Sequence, residues 1–73
     1  MIADGDATRD LGAIGTRWAN VYTADMHFSN VGTGGNEVDG TEGNWTLQEG
    51  ENDIFMLNNK TGKRYKIALT PVD

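Results

Sequence analysis

The sequence predicts an all-β chain of short antiparallel strands that ends in a three-stranded meander and needs further copies to cover it. Three observations lead there. From residue 44 onward, apolar and polar residues alternate with a period of two, and turn-forming clusters separate the runs. Ten glycines punctuate 73 residues. The chain has no cysteine and is small, so it lacks the usual means of stabilising a minor core.

Size and composition bound the function. Leu, Ile, Val and Phe together number 14, close to the level at which chains fail to fold alone. Zero cysteines removes disulfides and thiolate zinc sites, and a single histidine, His27, removes multi-histidine metal sites. No cofactor is expected. Oligomerisation is the remaining support. The longest unbroken apolar run, Ile54 to Leu57, is far shorter than the roughly 20 residues a bilayer needs, so no membrane insertion is expected. The net charge of −5 is uneven. Residues 1–53 carry −8, and residues 54–73 carry +3 through Lys60, Lys63, Arg64 and Lys66 against Asp73. An acidic front disfavours nucleic acid, which needs a basic face. The N-terminus shows no basic start or apolar stretch, and the absence of cysteine fits synthesis in a reducing cytoplasm.

Residues 1–30 read as a first segment. Asp4, Asp6, Thr8 and Asp10 alternate like the start of a calcium loop, but Arg9 and Gly15 occupy the positions where that loop needs Gly and an acid. A polar turn is expected instead. Gly12 and Gly15 bracket a tight turn. Trp18, Val21 and Tyr22 have the spacing of one helical turn. From Tyr22, the residues Ala24, Met26 and Phe28 share one face, and Thr23, Asp25 and His27 the other, which predicts a strand over about 21–29. His27 is expected as a solvated strand residue.

Residues 31–43 hold five glycines and only two apolar residues, Val31 and Val38. They read as a glycine-rich linker between two modules.

Residues 44–73 read as the meander. Trp45 and Leu47 alternate with Thr46 and Gln48, and Glu49-Gly50-Glu51-Asn52 turns the chain. Ile54, Phe55, Met56 and Leu57 form a central strand that is apolar on both faces. Asn58 to Gly62 form a second turn, with Gly62 suited to positive φ. Tyr65, Ile67 and Leu69 then alternate with Arg64, Lys66 and Ala68, and Pro71 closes the strand. Trp45 is expected to pair across the sheet with Tyr65 and Ile67. The central strand needs cover on both sides. Each large side chain left wet forfeits roughly 1.5–3 kcal/mol. The cover is either the Trp18 to Phe28 segment, another chain, or both.

Catalytic sets are sparse. His27 and Ser29 share a strand face but lack an oxyanion-hole motif, and the acids Glu49 and Glu51 lie in a turn without a cleft. The chain is expected not to be an enzyme. Lys60, Lys63, Arg64 and Lys66 with Tyr65 could hold acidic groups, or form a solvated hairpin face.

Two segments carry a family resemblance. Asp10-Leu11-Gly12-Ala13-Ile14-Gly15-Thr16-Arg17-Trp18-Ala19-Asn20-Val21-Tyr22 resembles the Leu-Gly, small residues, Arg-Trp, aliphatic-Tyr signature of phage tail fibres and tailspikes. Residues 43–67, with Trp45-Thr46, Glu49-Gly50, Asn58-Asn59 and Gly62-Lys63-Arg64-Tyr65-Lys66, are similar to C-terminal segments of structural proteins in marine tailed phages, including those of cyanobacteria. Together they cover about half the chain. The resemblance implies an intertwined homotrimer in a virion appendage, in contact with other virion proteins. Trp18, Val21, Tyr22, Met26, Phe28, Ile54, Phe55, Met56 and Leu57 would then pack between subunits. Two other readings are a receptor-binding tip that holds host-surface glycan through Trp45, Tyr65, Lys63 and Arg64, and a capsid decoration protein.

Overall fold

The computed structural model describes residues 2–73. Four strands form one antiparallel sheet: β1 (Met26–Ser29), β2 (Asn44–Glu49), β3 (Ile54–Asn58) and β4 (Arg64–Lys66). Their spatial order equals their chain order, so every connection is a simple reversal. The described residues contain no helix, as the period-two pattern predicts.

Two of the three strands after residue 43 lie where the alternation places them. The last, expected to run on to Leu69 before Pro71, ends at Lys66, because β3 begins at Ile54 and offers no partner beyond Ile67. The register sets Leu47 opposite Met56, and Met56 opposite Tyr65. β1 then adds Met26 opposite Leu47 and Phe28 opposite Trp45. Side chains alternate between faces along a strand. One face therefore carries Met26, Phe28, Trp45, Leu47, Ile54, Met56 and Tyr65, with Glu49 and Asn58 at its margins. The other carries His27, Thr46, Gln48, Phe55, Leu57, Arg64 and Lys66.

Each turn has a local cause. Gly50 donates its N–H to the Asp53 carbonyl at 2.8 Å, and the Phe55 ring lies against Gly50, where a Cβ would stand 2.8 Å from Cε2. In the last turn, Asn58 Oδ1 accepts the N–H groups of Lys60 and Thr61, at 3.0 and 3.3 Å. Gly62 takes φ +77°, as expected, and donates to the Asn58 carbonyl.

The N-terminal segment differs from its sequence pattern in two ways. No helical turn forms at Trp18 to Tyr22. A single turn fixes several dihedrals for one hydrogen bond and has no length here to propagate. Instead Ala13 and Thr16 form a small backbone bridge, and the Trp18 ring sits near Gly12. The first strand also begins at Met26 rather than near residue 21. Its partner β2 ends at Glu49, which the register sets opposite Ala24, so residues before Ala24 have no ladder to join. The Thr23 hydroxyl donates to the Asp25 carbonyl at 2.6 Å, a local bond that competes with strand pairing.

Residues 31–43, expected as a linker, connect two neighbouring strands of the one sheet. Their base is closed by Asn30, whose N–H donates to the Gly43 carbonyl at 3.2 Å and whose Oδ1 accepts the Gly43 N–H at 2.6 Å.

A buried apolar core is absent from the described residues. Among the described residues no hydrophobic side chain is buried, and the one buried polar side chain is Thr46, at 4% exposure. The accessible surface is 6794 Å². A compact monomer of this mass exposes about 4400 Å². The radius of gyration, 14.9 Å, likewise exceeds the ~11 Å of a compact chain of this length.

Candidate functional site

Two features stand out: the largely apolar sheet face and the loop beside it.

On that face, the Trp45 and Tyr65 rings lie with centroids 5.7 Å apart and planes tilted 44°. They belong to β2 and β4, so the contact reaches over β3. This places Trp45 and Tyr65 together as the alternation expects. Ile67 continues the line, its N–H donating to the Ile54 carbonyl at 2.9 Å. Ile54, Phe55, Met56 and Leu57 are all half-buried, two on each face. The central strand is therefore incompletely covered on both sides within one chain.

The expected packing residues divide into two groups. Met26 and Phe28 lie in β1 on the Trp45 face. Trp18, Val21 and Tyr22 lie outside the sheet and are exposed, Trp18 at 62% and Tyr22 at 92%. They do not fold over the meander of their own chain. The expected glycan group is also divided. Arg64 pairs with Leu57 and so faces away from the Trp45 and Tyr65 rings. Lys63 lies in the turn before β4, where its carbonyl accepts the Asn58 N–H.

The polar face holds a small network that the sequence pattern does not reveal. Thr46 Oγ1 accepts from Asn59 Nδ2 at 2.9 Å and lies 3.0 Å from His27 Nδ1. His27 is exposed, as expected, and its neighbour Ser29 accepts the Val31 N–H at 3.3 Å. The period of two placed His27 on the polar face, but its partner Thr46 is 19 residues away, a separation that only the register supplies.

The loop over residues 30–43 is organised by its own side chains. Asn36 Oδ1 accepts the N–H groups of Val38 and Asp39, and Asn36 Nδ2 donates to Asp39 Oδ1 at 2.7 Å. The Thr41 hydroxyl and N–H both donate to Asp39 Oδ1, at 2.8 and 3.1 Å. These bonds from Thr41, with that from Asn36, hold the Asp39 carboxyl below the usual carboxylate range. Glu42 accepts the N–H groups of Gly32 and Gly34, at 2.9 and 3.2 Å. The Lys60 ammonium donates to the Glu42 carbonyl and ties the last turn to this loop. A groove lies between loop and sheet, bordered by Phe28, Asn36, Asp39, Thr41 and Trp45. Within it, Asp39 Oδ1 is already taken up by the Asn36 amide and by Thr41. The legible signal for this order was Asn36, Asp39-Gly40 and Thr41, a spacing that favours side-chain-to-backbone turns over free coil.

Among the described residues, no group of three His, Asp or Glu side chains is placed to hold a metal ion, and no helix is long and apolar enough to cross a membrane. Comparison with protein-family models, curated proteins and solved structures finds no match to this chain.

Proposed function

We propose that this chain is a structural β module that assembles with copies of itself, as a trimer, within a phage-type virion appendage. The observation that carries the assembly is the missing core. Every large apolar side chain of the sheet remains partly wet in a single copy, and the surface exceeds that of a compact monomer by about 2400 Å². A standard interface hides roughly 800 Å² per partner, and obligate oligomers hide more. An excess of this size matches a subunit with more than one neighbour. The open ends of the sheet fit the same reading, since β1 and β4 each present an unpaired edge.

The number three and the virion placement are supported by the resemblance of Leu11-Gly12 through Arg17-Trp18 to Tyr22, and of residues 43–67, to phage structural proteins. Other virion proteins are then its neighbours, and its work is mechanical rather than catalytic. Size-exclusion chromatography with light scattering tests the assembly. A mass near three chains of 7.9 kDa is expected at micromolar concentration, and a folded single copy overturns it. Antibody labelling of purified particles tests the placement. Label on a tail or fibre is expected, and label spread over the capsid shell would favour a decoration protein.

A further inference from the structure

We infer that the segment Leu11 to Tyr22 is an exchange arm, which lies on the Trp45 face of a neighbouring copy. The inference rests on the self-assembly proposed above and specifies what each copy gives to the next.

The area argument comes first. Four short strands offer a face of only about 400 Å², from the usual strand spacing and rise. Covering both faces accounts for less than half of the ~2400 Å² by which this chain exceeds a compact monomer. The surplus therefore extends beyond the sheet. Leu11, Ile14, Trp18, Val21 and Tyr22 are all exposed, with Ile14 fully so. Five large apolar side chains in twelve residues form an amphipathic segment without a partner.

The arm does not use its own sheet. Its bonds are local: Arg9 pairs with Asp4 at 2.7 Å, Ala13 pairs with Thr16, and the Thr23 hydroxyl bonds at Asp25. The first tie to the sheet is Gln48 Nε2 donating to Asp25 Oδ2 at 3.2 Å, after the arm has ended. The two sheet faces also differ. Phe55 and Leu57 share theirs with Arg64, Lys66, Gln48 and His27. The Trp45 face presents Met26, Leu47, Ile54 and Met56, and its one charged residue, Glu49, stands at the end of β2. An apolar arm fits the second face. Two incomplete surfaces on the same molecule, one an arm and one a sheet, become complete when each copy covers the next. This head-to-tail contact closes into a ring when the rotation permits.

Two measurements on the full chain test this. Trp45→Phe leaves Trp18 as the single tryptophan. In the assembled protein its emission is expected to move to shorter wavelength and its acrylamide quenching to fall, with both reverting on dilution to single copies. An assembled protein whose Trp18 stays wet overturns the arm's placement while the assembly stands. A protein that is single at every concentration overturns both readings. The second measurement exploits the absence of native cysteine. Oxidised Val21→Cys/Met56→Cys is expected to give covalent dimers and trimers on a denaturing gel. A link within one chain, or a protected Trp18 in the single copy, shows the arm on its own sheet and overturns the inference.

Discussion

Trp45 and Tyr65, twenty residues apart in sequence, meet with ring centroids 5.7 Å apart across the strand that separates them. The contact joins the second strand to the fourth and stiffens the short β4 edge, which has only three paired residues. Tilted aromatic pairs of this kind contribute about 0.5–1.5 kcal/mol beyond their buried area. A double-mutant cycle with Trp45→Ala and Tyr65→Ala, read by denaturant unfolding at fixed protein concentration, is expected to return a coupling in that range. Additive effects of the two changes would show that the rings do not support each other.

The loop between β1 and β2 depends on one close backbone approach. Gly35 has φ +97°, and a Cβ there would collide with the Gly40 carbonyl. Gly34 has the same φ but opens onto empty space. Both Gly34→Ala and Gly35→Ala force a side chain into the left-handed region, at about 1–3 kcal/mol. Gly35→Ala adds the collision and is expected to be clearly the more destabilising in thermal unfolding. Equal effects would mean that the Gly35–Gly40 contact is not made.

The same loop has a pH dependence with a defined sign. Bonds from Thr41 and Asn36 lower the Asp39 carboxyl in the folded chain. The charged form is thus favoured by folding, and its contribution is complete above the ordinary aspartate value of about 3.9. That contribution is lost as the pH falls through the depressed value. The Thr41 amide signal is expected to titrate with a midpoint below the ordinary one, and Asp39→Asn abolishes the titration. A midpoint at or above the ordinary value contradicts the bonding described.

Thr46 is the buried link of the polar face. Replacing it with valine keeps the shape and removes the oxygen that accepts from Asn59 Nδ2 and faces His27 Nδ1. The expected loss is about 1–2 kcal/mol, because polar partners lose a bond and the part-buried amide is left incomplete. A neutral Thr46→Val in chemical denaturation would show that water replaces the hydroxyl at no cost.

How much of this was legible follows from the range of each signal. The alternation of Trp45 to Gln48 is a local signal, and that strand stands where it places it. The alternation of Tyr65, Ile67 and Leu69 instead outruns β4, which ends at Lys66 where β3 offers no further partner. The Asn58 to Gly62 turn is also local, including its positive φ. The start of the first strand was not legible, because Tyr22 continues the pattern while the partner strand ends opposite Ala24. Strand ends are set by the partner as much as by the strand. The order of residues 31–43 was hidden by their glycines, since composition suggests a flexible tether whereas Asn30, Asn36, Asp39 and Glu42 hold specific backbone groups. The Thr46 network was hidden for a third reason. It joins residues 27, 46 and 59, which only the completed sheet brings together.

The central claim is that one copy of this chain cannot keep its sheet dry. Sedimentation across a dilution series, with circular dichroism recorded on the same samples, tests it directly. The sheet signal should collapse as the mass falls from the assembly to one chain, with folding and association lost together. A single chain that keeps its full sheet signal and unfolds cooperatively on heating would contradict the account.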